Sequence, residues 1–292
     1  MHTNESKPFS VAPPPAAKIQ RAHDLLENCM MCEWRCGADR TRGEAAPCRL
    51  GSETYAFNQY FSLTEEPEVR PAVRVYLSGC NFRCRFCDTA PECFEPHAGR
   101  KIEPTAYAAE LSEAVQRGAR TISVLGGEPT LHVHTLLELA AAAPSPLPLA
   151  INTNLYMTPE VIELLEDVVA IYLADFKFGS DECARRLAGV LHYVEVVRRN
   201  LLQIARRTPM VVRHLLMPGH LECCFRPVAD WVAANLPGQR FQLYTGYVPC
   251  FRAGTDATIG RLNARSESRE AVEHLRSLNL AWDAGSDGHS DA

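Results

Sequence analysis

The stretch Cys80-Asn81-Phe82-Arg83-Cys84-Arg85-Phe86-Cys87 sets three cysteines at a C-x3-C-x2-C spacing. Three thiolates are one short of the four that close a four-iron, four-sulfur cluster. An iron without a protein ligand is open to chemistry, by the logic that leaves catalytic zinc an open position. On spacing alone, a zinc site and a set of free thiols compete with that reading. A second group lies upstream, with Cys29, Cys32, Cys36 and Cys48 at C-x2-C-x3-C-x11-C. Its four thiolates can saturate either a zinc ion or an auxiliary iron–sulfur cluster, since tetrathiolate suits both. Gly37, Gly43 and Pro47 fit the tight turns of such a knuckle. Buried free cysteines are the plainer alternative there.

Eight of the twelve cysteines fall in these two regions before position 94. With no apolar core between Met1 and Lys18 to act as an export signal, metal ligation in a reducing compartment is expected rather than disulfides, and the cytoplasm is the expected location. A chain of 292 residues, 46% hydrophobic and 22% charged, can bury a large core. The net charge of −5 gives no reason to expect nucleic acid or an acidic membrane as partner. No apolar run reaches the roughly 18 residues of a membrane span.

The elements that must position these residues read as α/β. Residues 1–18 are polar and then proline-rich, and disorder is expected. A cysteine-rich metal-binding extension is expected over 19–70, a catalytic core over 71–253, and a helix with a loose tail, Asp283 to Ala292, within 254–292. Val73, Val75 and Leu77 alternate as a strand that stops at Ser78-Gly79, just before Cys80. Further strands are predicted at Thr121–Leu125, Leu149–Thr153, Ala170–Phe176, Met210–Leu216 and Arg240–Tyr244, with helical periodicity between them. Such alternation implies a parallel sheet, and chemistry in parallel barrels sits at the carboxyl ends of the strands. Those ends carry Gly126-Gly127-Glu128, Asn152-Thr153-Asn154, Asp175-Phe176-Lys177 and a fifth strand holding Arg213 ahead of Pro218-Gly219.

At the cysteine motif, with Phe86 just before the third cysteine, the chain resembles the radical S-adenosylmethionine enzymes. The resemblance implies a partial (β/α)6 TIM-like barrel. It also implies a four-iron, four-sulfur cluster on Cys80, Cys84 and Cys87, whose open iron chelates S-adenosylmethionine and, when reduced, cleaves it to a 5′-deoxyadenosyl radical. Gly126, Gly127 and Glu128 look like the motif that holds the methionyl amine, glycines giving backbone access and Glu128 accepting from the ammonium. The later strand ends are similar to the pyruvate formate-lyase activating enzymes and their uncharacterised relatives. In that branch, Asp-Thr-Asn, Asp-Leu-Lys and an Arg five residues before Pro-Gly meet the ligand or a monovalent cation. By that resemblance Arg213 pairs with the ligand's carboxylate, Lys177 faces it and Asp175 ligates the cation. Asn152 stands where the activating enzymes carry aspartate, which puts the cation in question.

The likeness covers about Cys29 to Ala253, and the upstream four-cysteine group matches the uncharacterised relatives. It implies hydrogen abstraction from a protein or peptide, such as a glycyl-radical enzyme, with an electron donor such as flavodoxin or ferredoxin. The same chemistry on a small molecule is the alternative, and an electron-transfer protein that never cleaves the ligand is a third. The metal at Cys29, Cys32, Cys36 and Cys48 is expected to be structural and independent of the downstream cluster. His132 and His134 are expected to be solvated at a helix start, with a pocket-facing His132 as the alternative; the vicinal pair Cys223-Cys224 is expected to be buried hydrophobe, and Cys183 to be structural. Cys93 is an extra thiol in the cluster loop, and Cys250 could face substrate.

Overall fold

The computed structural model of the chain describes Phe9 and residues 11–285. In chain order its main elements are α1 (Ala16–Glu27), β1 (Tyr55–Ser62), β2 (Ala72–Leu77), β3 (Arg100–Lys101), α2 (Pro104–Gln116), β4 (Thr121–Gly126), α3 (Val133–Ala142), β5 (Leu149–Thr153) and α4 (Pro159–Leu165). There follow β6 (Val169–Asp175), α5 (Asp181–Ala188), α6 (Tyr193–Ile204), β7 (Met210–Leu215), α7 (Arg226–Asn235), β8 (Arg240–Tyr244), α8 (Arg265–Ser277) and β9 (Trp282–Gly285). One nine-stranded sheet runs in the order β3-β1-β2-β4-β5-β6-β7-β8-β9. From β2 to β9 every neighbouring pair is parallel. The six strands expected from sequence are its centre, and the barrel is partial because the sheet does not close.

These strands read as near-continuous apolar runs because helices cover one face and side chains fill the other. Thr121 through Leu125 of β4 and Val169 through Ala174 of β6 are buried on both faces. Helix starts follow local chemistry: Pro104 and Pro159 sit in the first turn of α2 and α4. Ser180 caps α5 by accepting from Cys183 N, and Gly189 closes it at φ +75°.

Three differences from the sequence reading concern the ends of the sheet. The tail expected to be disordered through residue 18 is structured earlier, since Ala16 begins α1. Ala12 N–H also donates to Asp167 O at 2.8 Å, and Phe9 packs beside Val69 and under Arg120. The rest of that tail lies outside the described residues. The expected boundary at residue 70 falls inside the sheet, because β1 pairs antiparallel with β2 from Ala56↔Leu77 to Ser62↔Ala72. At the other end, Trp282–Gly285 adds a parallel strand to β8 where a loose tail was expected, and 286–292 lie outside the described residues. Among the described residues no helix is long and apolar enough to cross a membrane.

His132 and His134 are buried, not solvated. His132 bridges Thr54 Oγ1 and Ser78 O, both at 2.9 Å, and His134 Nε2 meets Ser52 O at 2.9 Å. These contacts knit the extension to the start of α3. Burial pushes His132 down to about 3, and His134 well below its ordinary value. A histidine depressed in the fold protonates first in the unfolded chain, so stability falls as pH drops below about 6.5 and keeps falling to the folded value. Urea unfolding should therefore show the wild type losing about 2 kcal/mol more between pH 6.5 and pH 5 than His132→Gln does. Equal losses in the two proteins would remove His132 as the cause.

Candidate active site

Strand β2 ends at Leu77, and the chain turns at Gly79, whose φ is +85°. A Cβ there would lie 2.3 Å from Leu50 Cδ2, so only glycine lets the upstream extension close over the turn. Cys80, Cys84 and Cys87 follow on a loop pinned from both sides. Trp34 Nε1 donates to Asn81 O at 2.9 Å, and Arg83 Nη2 donates to Pro47 O at 2.6 Å. On the opposite side, Arg83 N and Arg85 N donate to Ala188 O and Leu187 O at the end of α5.

The three cysteines line a cavity of about 630 Å³ at the carboxyl ends of the strands. Phe86, Gly126, Gly127, Glu128, Asn152, Asp175, Lys177 and Arg213 line it too, so every residue expected to meet ligand shares one space. Phe86 is wedged edge-on against Phe178, with centroids 6.0 Å apart. The glycines also have a structural task beside lining the cavity. A Cβ on Gly127 would lie 1.9 Å from Gly79 O, and one on Gly126 would lie 2.7 Å from Leu77 N. That task is to let β4 close against the cysteine turn, where Gly127 N donates to Leu77 O and Glu128 N to Gly79 O.

Glu128 is buried and heavily engaged. Its Oε1 accepts from Thr130 N, Thr130 Oγ1 and Thr153 Oγ1, and its Oε2 accepts from Asn154 N at 2.8 Å. Burial raises this carboxyl despite those donors. A carboxylate oxygen offers two lone pairs, so Oε2 keeps one for a further donor. Asn154 Nδ2 in turn donates to Asn81 Oδ1 at 2.8 Å, tying the end of β5 to the cysteine loop.

At the next strand ends, Asp175 sits between two cations. Lys177 Nζ lies 2.6 Å from Asp175 Oδ2 and Arg213 Nε lies 2.8 Å from Asp175 Oδ1. Burial works to raise the Asp175 carboxyl, but Arg213 and Lys177 outweigh it and hold it below its usual range. Asp175, the side chain expected to ligate a monovalent cation, is thus paired with both Lys177 and Arg213.

Several cavity residues escaped the sequence reading. Arg213 Nη1 reaches Glu66 Oε1 at 3.2 Å, and Tyr244 OH donates to the same oxygen at 2.5 Å. Glu65 with Arg74 at 2.8 Å, and the hydrogen-bonded pair Tyr60 and Tyr76, complete that wall. The signal was the aromatic run Tyr55-Ala56-Phe57-Asn58-Gln59-Tyr60-Phe61, a strand composition next to paired glutamates.

The thiols themselves test whether a metal cluster fits. Burial pushes Cys80 well above its ordinary value and Cys84 up to about 12, although Lys177 opposes the latter. Cys87 is drawn down to about 7, chiefly by Cys93, whose sulfur is 3.5 Å away. Three thiolates in so buried a space need a cation to exist together, which a bound metal centre provides. Cys93 and Cys250 do not line the cavity.

In the upstream group Cys29, Cys32 and Cys48 are buried and Cys36 is exposed. Turns close it through Cys29 N to Ala38 O, Gly37 N to Cys29 O and Arg35 N to Cys32 O. Burial pushes the Cys32 thiol up to about 12. Among the described residues these four are not drawn into a set with three ligand atoms mutually within 4.8 Å. The group packs against the downstream motif, since Trp34, Pro47 and Leu50 all touch the Cys80–Cys87 loop or its turn.

An open parallel α/β sheet with three cysteines at the mouth of one strand and a charged clamp on its neighbours defines a class of cofactor-dependent enzymes. Residues 75–232 match the Radical SAM superfamily, and the chain belongs to that family, an enzyme of the radical S-adenosylmethionine class. The family implies a four-iron, four-sulfur cluster and S-adenosylmethionine. The chain is 31% identical over 274 residues to an uncharacterized protein of Methanocaldococcus jannaschii, covering 90% of this chain and 78% of that one. It is 31% identical over 112 residues to the 7-carboxy-7-deazaguanine synthase of Methanothermobacter thermautotrophicus, covering 38% of this chain and 45% of that one. Streptococcus suis SuiB, solved bound to S-adenosylmethionine and to precursor peptide SuiA, superposes with a TM-score of 0.53 at 17% identity. That likeness is one of fold, covering 70% of this chain and about half of SuiB, 48%.

Proposed function

We propose that this chain reductively cleaves S-adenosylmethionine and turns the resulting radical on a protein or peptide substrate. The observation that carries the reading is the convergence of Cys80, Cys84 and Cys87 with the Asp175, Lys177 and Arg213 clamp on one cavity. When bound to those cysteines, a four-iron, four-sulfur cluster supplies one electron that splits S-adenosylmethionine into methionine and a 5′-deoxyadenosyl radical, which takes hydrogen from the substrate. The electron comes from a donor such as a reduced flavodoxin or ferredoxin.

The chain's own residues bind and orient. Arg213 and Lys177 hold the ligand's carboxylate by charge-assisted contact. The spare lone pair on Glu128 Oε2 accepts from its ammonium, and Asn152 adds an amide at the same wall. Phe86 closes the cavity against water. Cys29, Cys32, Cys36 and Cys48 hold a second metal centre, zinc or an auxiliary cluster, that stiffens the extension over the cysteine loop.

A polypeptide substrate is favoured by the rim. Strand β3 pairs only with Tyr55 and Ala56 of β1, and among the described residues no strand covers the same edge of β1 beyond Ala56. Phe57, Asn58 and Tyr60 of that strand line the cavity, while Phe61 and Leu63 are exposed, at 50% and 64%. An extended peptide can add to such an edge through main-chain hydrogen bonds.

The test supplies reduced protein and S-adenosylmethionine with a cell extract labelled with deuterated amino acids. The extract is split into polypeptide and small-molecule fractions. Deuterium should enter 5′-deoxyadenosine only with the polypeptide fraction. Label arriving only from small molecules would overturn the peptide reading, and a failure to form 5′-deoxyadenosine with any fraction would overturn the enzymatic one.

A further inference from the structure

A second group of ligand-type side chains lies outside the cavity, where the loop after β6 meets the loop after β7. Cys183 enters from the first turn of α5; Cys223 lies in the π-helical turn Leu221–Phe225 that leads into α7, and His220 is the residue just before that turn. The ligand atoms of these three residues all lie within 4.8 Å of one another, the only such set among the described residues. Cys183 Sγ and Cys223 Sγ are 3.6 Å apart. Two sulfurs on one tetrahedral zinc, with Zn–S bonds of about 2.3 Å, would stand roughly 3.8 Å apart.

The histidine is oriented for ligation. His220 Nδ1 is 2.9 Å from Pro218 O, and a carbonyl only accepts, so Nδ1 carries the proton. A backbone carbonyl on one ring nitrogen is how a metal-bound histidine is held, with the other nitrogen's lone pair turned to the metal. That lone pair, on Nε2, now accepts from Arg186 Nη2 at 3.0 Å. Arg186 has an independent partner in Asp256 Oδ2 at 3.0 Å, so it can leave the imidazole without losing its only counter-charge.

The backbone fixes this convergence. Ser180 Oγ accepts from Cys183 N at 3.3 Å, and Cys224 N and Phe225 N both donate to His220 O. A Cβ on Gly179 would lie 2.6 Å from Cys224 O, so the two loops touch with no room for a side chain between them. The Phe225 N to His220 O bond spans five residues, a π-type widening of the turn that is frequent at functional sites. Cys223 is exposed, which gives a metal a path in, and Cys224 Sγ lies 3.9 Å from it.

We propose that Cys183, Cys223 and His220 bind a divalent ion of the zinc class, with Cys224 or water in the fourth position. Two thiolates and an imidazole in tetrahedral array select soft, borderline metals over magnesium or calcium. The ion would pin the loop that follows Lys177 to the loop that follows β7, two walls of the cavity, and is separate from both other cysteine groups.

Cobalt(II), added anaerobically to the metal-stripped full chain, reports on thiolate ligation through its charge-transfer absorption. Titration should show the Cys183→Ser, Cys223→Ser double variant taking up one cobalt per chain fewer than wild type. Uptake at the other cysteine groups is common to both proteins and cancels. Should that variant fold poorly, alkylation of the wild type gives a second reading. Zinc should protect Cys183 and Cys223 together from iodoacetamide, scored by peptide mass. Equal cobalt uptake, labelling of the pair that ignores zinc, or a Cys183–Cys223 disulfide in chain isolated without oxygen would each overturn the site.

Discussion

Anaerobically reconstituted protein with Cys80, Cys84 and Cys87 all changed to alanine should form no 5′-deoxyadenosine above the background without enzyme. Each of the three leaves the turn after β2 and lines the same cavity. No neighbouring side chain can replace the set, because Cys93 is itself held against Cys87 at 3.5 Å and Cys250 does not line that space. The loss should be specific to cleavage. The sheet depends on Val73, Val75 and Leu77 of β2, which the variant keeps, so circular dichroism should match the wild type. Cys93→Ala serves as the control, since it removes a buried thiol from the same loop yet should retain cleavage. Cleavage at the wild-type rate by the triple variant would sink the assignment. Equal loss in Cys93→Ala would mean that Cys93 belongs to the ligand set.

What the sequence made legible follows from how each part is stabilised. Strands β2 and β4 through β8 are buried on both faces and announce themselves as short apolar runs between helical periods. The cavity residues were legible because the topology dictates where chemistry sits, at the carboxyl end of each strand. Helix α1 was not, since only Ala22 and Leu26 of its twelve residues are buried and three prolines precede it. Strand β1 was hidden because most of its Tyr, Phe and Gln side chains are only half-buried, and Phe57, Asn58 and Tyr60 line the cavity rather than an apolar core. The Gly126-Gly127 pair was identified for its lack of side chains, and the structure shows a close approach it permits to the backbone of Leu77 and Gly79, whose contact no local spacing announces. His132 and His134 went astray because their partners Thr54, Ser78 and Ser52 are remote in sequence. The Cys183, His220 and Cys223 group was invisible for the same reason, since contacts about 40 residues apart leave no local spacing.

The second large effect should come from Arg213, which touches two buried carboxylates at once. Arg213→Ala removes the contacts at 2.8 Å to Asp175 and 3.2 Å to Glu66. Removing one partner of a buried pair costs about 3–5 kcal/mol, because the remaining charge is left desolvated and alone. Asp175 keeps Lys177, whereas Glu66 keeps the Tyr244 hydroxyl, its own backbone N–H and the charge of Arg240 but loses its directly paired cation, so Glu66 is the group left most exposed to the loss. In the proposed clamp the same substitution also takes a cation from the ligand's carboxylate, a contact worth about 1.5–3 kcal/mol, or roughly 10- to 150-fold in affinity. The double variant Arg213→Ala, Glu66→Gln separates the two consequences. A neutral amide at position 66 removes the Glu66 charge, so unfolding stability should recover most of the loss. Affinity for S-adenosylmethionine, read by calorimetry on the reconstituted protein, should stay at the single variant's level, because no cation has been restored. Arg213→Lys should behave in between, keeping the charge but losing the planar fork that reaches Asp175 and Glu66 together. If the double variant binds S-adenosylmethionine as tightly as the wild type, Arg213 is a brace for Glu66 and the clamp drawn around the ligand is wrong.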